Sequence, residues 1–338
     1  MNPQRIVPWL ILIFVTSITA ALGQSVTPVG STLIEPDIPP PNFKIAFIGD
    51  QGFGLASEQV LNLIKSEGAQ AVVHMGDFDY GDNPKAWDEQ INKVLGPDLP
   101  YFSVIGNHDR KKWSGSNGYQ HYIKNKFQRL GLTWHGDLGV QSSFKYKGIF
   151  FVMVAPGVMG SGHDSYIRKE LAADYSTWRI TAWHKNMNRM QAGGKEDETG
   201  WGVYEEARKG GAIIVTGHEH SYSRTHLLSN ISTQTVASTS NDLTINKGTT
   251  FVLVSGLGGR TIRRQRTGGP WWATIYASDC QPADQACKPN ANHGALFAVL
   301  NVDGQPNKGI FYFKDIDGKV IDRFTVFSNI QQFATKSE

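Results

Sequence analysis

Residues 71–80 read Ala-Val-Val-His-Met-Gly-Asp-Phe-Asp-Tyr, and the fold can be worked out from this stretch. Residues 71–75 form a short apolar run, which is typical of a strand buried inside a sheet. Gly76 and Asp77 follow at the carboxyl end of that strand. Because open α/β sheets place their ligands at this end of their strands, we interpret Asp77 as a candidate functional carboxylate.

Four other stretches also place polar side chains beside a glycine or after an apolar run. They are Gly49-Asp50-Gln51-Gly52, Gly106-Asn107-His108-Asp109, Ala182-Trp183-His184 and Gly217-His218-Glu219-His220. Taken singly, each has an ordinary explanation, such as a turn or a helix cap for Gly-Asp. Because all five stand at predicted strand ends, we interpret them together as a site for two metal ions that share Asp77.

The candidate ligands offer a mixture of donor atoms. Hard oxygen donors come from Asp50, Asp77, Tyr80 and Asn107, and imidazole nitrogens come from His184, His218 and His220. This mixture suits iron, zinc or manganese better than calcium. Seven side chains, one of them shared, give four contacts to each ion and leave coordination positions open, which is typical of catalytic sites.

Length and composition are those of a globular protein. The chain has 338 residues, of which 40% are hydrophobic and 19% charged, and its formal net charge is +3. This length can bury a sizeable core. The balanced charge gives no support to nucleic acid as a structural partner or to binding at a membrane surface.

The N-terminus resembles an export signal. Residues 1–5 are short and basic, residues 6–21 are mostly apolar, and small residues follow up to Gly23. We therefore predict a cleaved signal peptide at 1–23, a secreted or extracytoplasmic protein, and no stable membrane insertion after cleavage. The alternative is an uncleaved membrane anchor, although the apolar run is short for a span of about 20 residues. The proline-rich residues 24–42 are expected to form an extended tether.

The remaining pattern predicts a catalytic domain at 43–328, followed by a tail at 329–338. Strands at 43–48, 71–75 and 101–105 alternate with helices at 55–66 and 84–95, which favours a largely parallel sheet with helices outside it. Further helices are predicted at 119–130, 165–173 and 203–209. Further strands are predicted around Thr133 and at 142–146, 149–154, 178–183, 212–216, 249–254, 295–302, 309–314 and 320–326. We therefore predict two packed sheets covered by helices.

Several other residues could have functional roles. Cys280 and Cys287 suggest a single disulfide, and Asn230 begins an N-glycosylation acceptor pattern. The basic segment from Arg260 to Arg266, which includes Arg263 and Arg264, is expected to be a solvated loop, with phosphate recognition as the alternative. The isolated histidines, which are His74, His163 and His293, are expected to have packing or surface roles.

In this order, the five stretches resemble the signature of the calcineurin-like metallophosphoesterases, and specifically its purple acid phosphatase branch. Most branches have Asp-x-His in the first motif, whereas Gly52 replaces that histidine here and Tyr80 is present, as in the purple branch. No β-sandwich domain precedes the motifs, as in the small, single-domain type. The resemblance implies an α/β fold of the metallophosphatase type, a sandwich of two mixed β-sheets flanked by helices.

The resemblance also implies how the ligands divide between two ions. One ion would be held by Asp50, Asp77, Tyr80 and His220, and the other by Asp77, Asn107, His184 and His218. The Tyr80 site would hold Fe(III), and the second site Fe(II), Zn(II) or Mn(II). The family's fourth motif usually continues after the histidine with an aromatic residue or His and then Pro. Here Lys185 and Asn186 follow His184, so the substrate rim is expected to differ.

The function implied is that of a secreted phosphatase that hydrolyses small phosphomonoesters through attack of a metal-bound hydroxide on phosphorus. His108 is the candidate general acid for the leaving group, and a hydrogen-bonding role near the metals is its alternative. Two other functions remain open. The same site could hydrolyse phosphodiesters or nucleotides, or the protein could be a catalytically inactive exported protein that binds metal or phosphate. The sequence does not specify the oligomeric state.

Overall fold

The computed structural model describes Met1 and residues 38–330. Residues 38–330 belong to one unit by their internal contacts. Apart from Met1, the predicted signal peptide lies outside the described residues, as do most of the predicted tether and the tail from residue 331. Among the described residues, no helix combines the length and apolar character needed to cross a membrane.

The described elements follow one another as strands and helices numbered in chain order. They are β1 Phe43–Ile48, α1 Leu55–Ser66, β2 Ala71–His74, α2 Pro84–Leu95, β3 Tyr101–Ser103, α3 Tyr119–Arg129, β4 His135–Asp137, β5 Gln141–Tyr146, β6 Ile149–Val154, α4 His163–Ala173, β7 Trp178–Trp183, α5 Trp201–Lys209, β8 Ile213–Thr216, β9 Tyr222–Thr225, β10 Leu227–Asn230, β11 Thr235–Ser238, β12 Asp242–Ile245, β13 Val252–Ser255, β14 Trp272–Tyr276, β15 Cys287–Lys288, β16 Gly294–Val302, β17 Gln305–Asp315 and β18 Val320–Ser328.

Two large sheets contain most of these strands. The first has the order β12-β18-β17-β16-β1-β2-β3, and the second has the order β15-β14-β9-β13-β8-β7-β6-β5-β4. Strands β1, β2 and β3 pair in parallel, as do β6, β7, β8 and β13. The other neighbouring strands of the two sheets pair in the antiparallel direction, except for β12 with β18 and β14 with β15. This confirms the predicted α/β fold with two mixed sheets flanked by helices.

Strand β6 shows how the sheets pack. Its six residues are all buried, which a strand buried on both faces requires. Ile149, Phe151 and Met153 join the core between the two sheets, while the alternate residues join a second core beneath α4 and α5. Contacts between Phe102 of the first sheet and Phe151 of the second, at 5.4 Å between ring centroids, show the two sheets packed face to face.

Some sequence-based expectations need correction. Thr133 lies outside any strand, and the strand predicted near it is β4 at His135–Asp137. The first sheet is less parallel than predicted, because β16 inserts beside β1 in the antiparallel direction. The structure also contains strands that the sequence did not predict, namely β9, β10, β11, β12, β14 and β15.

Candidate metal centre

The site lies where strands of both sheets end. Asp50, Asp77 and Asn107 are in the segments that follow β1, β2 and β3 of the first sheet, and His184 and His218 follow β7 and β8 of the second. Glycine permits this close approach, because a Cβ atom on Gly106 would lie 2.2 Å from Asp77 Oδ1. Because these parallel strands run in the same direction within each sheet, their carboxyl ends lie at the same edge, and the side chains that follow them meet there.

Three donor atoms form a first cluster. Tyr80 OH lies 3.1 Å from Asp50 Oδ1 and 3.2 Å from His220 Nε2, and the latter two atoms are 3.4 Å apart. Ligand atoms bonded to one cation at about 2.0–2.2 Å are separated from each other by about 3 Å. The triangle therefore fits a single cation.

A second cluster surrounds His184, which is fully buried. Its Nε2 atom lies 3.0 Å from His218 Nδ1, 3.2 Å from Asn107 Oδ1 and 3.3 Å from Asp77 Oδ1. One donor atom from each of Asp77, His184 and His218 lies within 4.8 Å of the others. This cluster also has the dimensions of one metal site.

The far side of each imidazole contacts an acceptor. His184 Nδ1 donates to the Met75 carbonyl at 2.6 Å, His220 Nδ1 donates to the Thr261 carbonyl at 2.6 Å, and His218 Nε2 donates to Glu198 Oε2 at 2.8 Å. In the neutral imidazole the other nitrogen then carries a lone pair. All three lone pairs face the clusters, as in histidines that bind metal.

Without a cation, these lone pairs and carboxylates compete for protons. Burial lowers the pKa of His184, but the Asp77 and Asp50 carboxylates and the hydrogen bond to the Met75 carbonyl together raise it to about 9. Burial and then the Asp77 charge raise the pKa of Asp109 to about 8. Metal binding displaces protons from ligands, so a cation would free the His184 lone pair, and its positive charge would offset the Asp77 charge that acts on Asp109.

The backbone of the site is strained. Asp50, Asp77, Tyr80 and His218 have φ values of 58°, 57°, 57° and 68°, in the left-handed region that is uncommon for residues other than glycine and costs most for a bulky side chain such as Tyr80. Hydrogen bonds hold Asp50 and His218 in this conformation. The Asp50 amide donates to the Gly76 carbonyl at 3.0 Å, and the His218 amide donates to Asp50 Oδ2 at 2.8 Å. Strain of this kind is concentrated at functional sites.

Sequence reasoning missed two supporting carboxylates. Asp109 accepts hydrogen bonds from the amides of Asp77, Phe78 and Gly106 at 2.7–2.9 Å, and so fixes the loop that carries Asp77. Glu198 orients His218 and also pairs with Lys185 at 2.5 Å. The Asn-His-Asp motif could have indicated Asp109, whereas nothing in the local sequence distinguishes Glu198 from its acidic neighbours.

His108 borders an open cavity of about 610 Å³ that is also lined by Tyr80, Asn107, Arg110 and Lys111. The His108 side chain is 52% exposed, and its Nε2 atom lies 4.0 Å from Asp77 Oδ2. Its backbone amide donates to Asp77 Oδ1 at 2.9 Å. The imidazole is therefore held beside the second cluster and remains accessible to a molecule in the cavity.

The structure gives the isolated histidines other partners. His74 Nδ1 lies 2.9 Å from Tyr101 OH in the core, and His163 Nε2 bonds to the Met159 carbonyl at 3.0 Å. His293 Nε2 donates to the Arg260 carbonyl at 2.7 Å. Cys280 and Cys287 form a disulfide.

Comparison with known proteins agrees with this geometry. The family model described as calcineurin-like phosphoesterase matches residues 43–222, and no curated protein sequence matches the chain significantly. A purple acid phosphatase from seeds of yellow lupin (Lupinus luteus) has a similar structure, with a TM-score of 0.63, 18% identity, and coverage of 89% of this chain and 58% of that chain. This chain thus spans less than two thirds of the lupin protein.

GAP50, described as the anchor in the inner membrane complex of Plasmodium, is also similar. Its TM-score is 0.55 at 15% identity, with coverage of 86% of this chain and 90% of that chain. At these identities the two likenesses establish the fold.

Proposed function

The chain belongs to the calcineurin-like phosphoesterase family, and from this premise we propose that it is a binuclear metal-dependent phosphatase of the purple acid phosphatase branch, acting on phosphomonoesters. The observation that carries the proposal is the pair of donor clusters, in which three histidine lone pairs face carboxylate, amide and phenol oxygens. Such a set of inward-facing acceptors is stable when cations lie between them.

The two clusters support an assignment of the ligands. Asp50, Tyr80 and His220 would hold the first ion and Asn107, His184 and His218 the second. Asp77 lies in the second cluster, and the family resemblance supports its sharing with the first ion. A bound cation pair supplies charge that neutralises phosphate oxygens and lowers the pKa of a water molecule. The residues of the chain then orient the ester in the cavity, and His108 holds a proton at its exposed imidazole for the departing alkoxide.

Tyr80 supports a trivalent ion in the first site. Its phenol oxygen is a hard donor that lies beside Asp50 Oδ1 and His220 Nε2, and hard oxygen donors favour small, highly charged cations. We therefore propose Fe(III) beside Tyr80, with Fe(II), Zn(II) or Mn(II) in the second site.

Metal analysis, spectroscopy and ester assays on one purified sample test the proposal. We expect two metal ions per chain, a visible charge-transfer band, faster turnover of p-nitrophenyl phosphate than of bis-p-nitrophenyl phosphate, and loss of turnover after chelation. Faster diester turnover would favour a phosphodiesterase. A protein that binds two ions and hydrolyses neither ester would contradict catalysis and favour a binding role.

We also propose that the protein is exported. The N-terminal sequence and the disulfide between Cys280 and Cys287 support this, because disulfides persist mainly in oxidising compartments. Mass spectrometry of the protein from its native host should find a chain that begins near residue 24. A mature protein that retains residues 1–23 would favour the anchored alternative.

A further inference from the structure

One loop beyond the matched family segment frames the first donor cluster. The Arg260 amide donates to the Asp50 carbonyl at 3.0 Å, and the Thr261 carbonyl accepts the hydrogen bond from His220 Nδ1. The Arg260 guanidinium lies over the Tyr80 ring, 4.5 Å from its centroid. Residues 260–261 therefore contact all three members of this cluster.

The loop is held close to the end of β1. The Gly258 amide donates to the Gly49 carbonyl at 3.0 Å. Gly259 has a φ of 144°, and a Cβ atom there would lie 2.5 Å from the Gln51 carbonyl oxygen. These backbone contacts fix the point from which Arg260 extends.

The Arg260 side chain is exposed and has no acidic partner within the described part of the chain. Arg263 of the same segment differs, because its guanidinium lies 3.3 Å from Glu219. A guanidinium that stacks through its face keeps the N–H groups at its edge free to donate. Arg260 therefore presents unused donors beside the cluster.

Gly52 provides the space for this arrangement. A Cβ atom at Gly52 would lie 3.7 Å from Tyr80 Cδ2 and 3.8 Å from Arg260 Cδ. A side chain at this position would therefore begin in contact with both Tyr80 and Arg260. Glycine at position 52 leaves this space to the Arg260 side chain.

We propose that Arg260 binds non-bridging phosphate oxygens and favours doubly charged phosphomonoesters over singly charged diesters. This inference rests on the proposed phosphatase function. Arg recognises phosphate through paired N–H donors, and its fixed charge adds attraction that grows with the charge of the ester. The basic segment from Arg260 to Arg266 thus contains one residue that faces the site.

The test compares Arg260→Gln, Arg260→Lys and the control Arg264→Gln, an exposed residue of the same segment. For each metal-loaded protein, calorimetry measures the Kd of inorganic phosphate. Mass spectrometry measures the metal content of the same proteins. We expect Arg260→Gln to weaken phosphate binding and to raise the monoester KM about tenfold or more. The diester KM should rise less, because a diester also offers two non-bridging oxygens but carries one negative charge fewer. Arg260→Lys should recover part of the loss, and Arg264→Gln should match the wild type.

An unchanged phosphate Kd in Arg260→Gln, or an equal loss in the Arg264 control, would overturn the inference. Loss of metal from Arg260→Gln would also overturn it, since the role would then be to hold the ligands. If the wild type hydrolyses neither ester, the proposed function fails, and the calorimetry still decides whether Arg260 binds phosphate.

Discussion

Each histidine of the two clusters has a hydrogen-bond acceptor on the side of its imidazole that faces away from the cluster. This acceptor determines which ring nitrogen carries the lone pair. Met75 and Thr261 supply backbone carbonyls to His184 and His220, and Glu198 supplies a carboxylate to His218. Because a carbonyl can only accept, the facing nitrogen must carry the proton. The chemistry of the cluster is therefore determined by residues that do not enter it.

His108 differs from these histidines because it faces the cavity. If it protonates the leaving group, His108→Ala should lower kcat on an alkyl phosphate by about 10²–10⁴-fold. The loss should be smaller on p-nitrophenyl phosphate, whose leaving group needs no proton. Steady-state kinetics on both substrates, with metal analysis, check this.

The exposed His135 provides a matched control, since His135→Ala should leave both rates unchanged. Loss of metal from His108→Ala, or equal losses on the two substrates, would refute the role as acid.

The seven candidate ligands could be selected from sequence because each belongs to a short motif at a predicted strand end. Whether they bind metal stays a prediction. Glu198 could not be selected, because it stands in the acidic run Glu196-Asp197-Glu198 and only the fold brings it to His218. Arg260 was predicted to be solvated, whereas its guanidinium lies over the Tyr80 ring. This position depends on the path of the loop, which the neighbouring residues in the sequence do not determine.

At the scale of elements, Glu67 fastens the end of α1 to the first sheet. Its carboxylate accepts hydrogen bonds from Tyr312 OH at 2.6 Å and from Lys314 at 2.7 Å, both on β17, and from Lys44 of β1 at 3.3 Å. Burial alone would raise the pKa of Glu67, but the bonds from Lys314 and Tyr312 and the charge of Lys44 lower it below 4.5.

This predicts a pH-dependent contribution to stability. A carboxylate with a lowered folded pKa stabilises the fold above its unfolded pKa, and the contribution disappears as pH falls through the folded value. Glu67→Gln should therefore cost about 1 kcal/mol at pH 7, and the difference from wild type should shrink below pH 4.5. Urea unfolding across this pH range measures it.

Glu89→Gln is the control, because the Lys85–Glu89 pair is solvent-exposed. A difference between wild type and Glu67→Gln that stays constant down to pH 3 would contradict the linkage.

Long apolar strands and amphipathic helices were predictable, and short polar strands were not. β1 and α1 have the predicted bounds, because their patterns carry the signal locally. β11 and β12 have four residues each and contain Thr, Ser or Asp. Their strand character depends on pairing with distant partners, as when β12 adds to β18. Pairing between distant segments produces no clear pattern in a short stretch of sequence.

At the scale of the whole molecule, a buried ion pair joins the two sheets. Arg224 of β9 makes two hydrogen bonds to Asp322 of β18, at 2.7 Å and 3.1 Å, and Tyr222 OH donates to the same carboxylate at 2.8 Å. Both charged residues are buried. Removing one partner leaves the other charge uncompensated in the core.

Asp322→Ala should therefore destabilise the protein by about 3–5 kcal/mol. Chemical denaturation measures the change, and the exposed Asp98→Ala should change it little. A loss below 1 kcal/mol, on the order expected for a solvated pair, would show that the ion pair does not hold the sheets together.

The left-handed backbone at four of the candidate ligands has an evolutionary consequence. A lineage that no longer needed cations would gain stability by replacing Tyr80 with glycine or asparagine, which adopt a φ near +60° at little cost, whereas Asp50, Asp77 and His218 belong to residue types that already tolerate this region. Descendants that gave up catalysis should therefore carry one of those two amino acids in place of Tyr80, and this substitution would record the ancestral chemistry after the activity itself had gone.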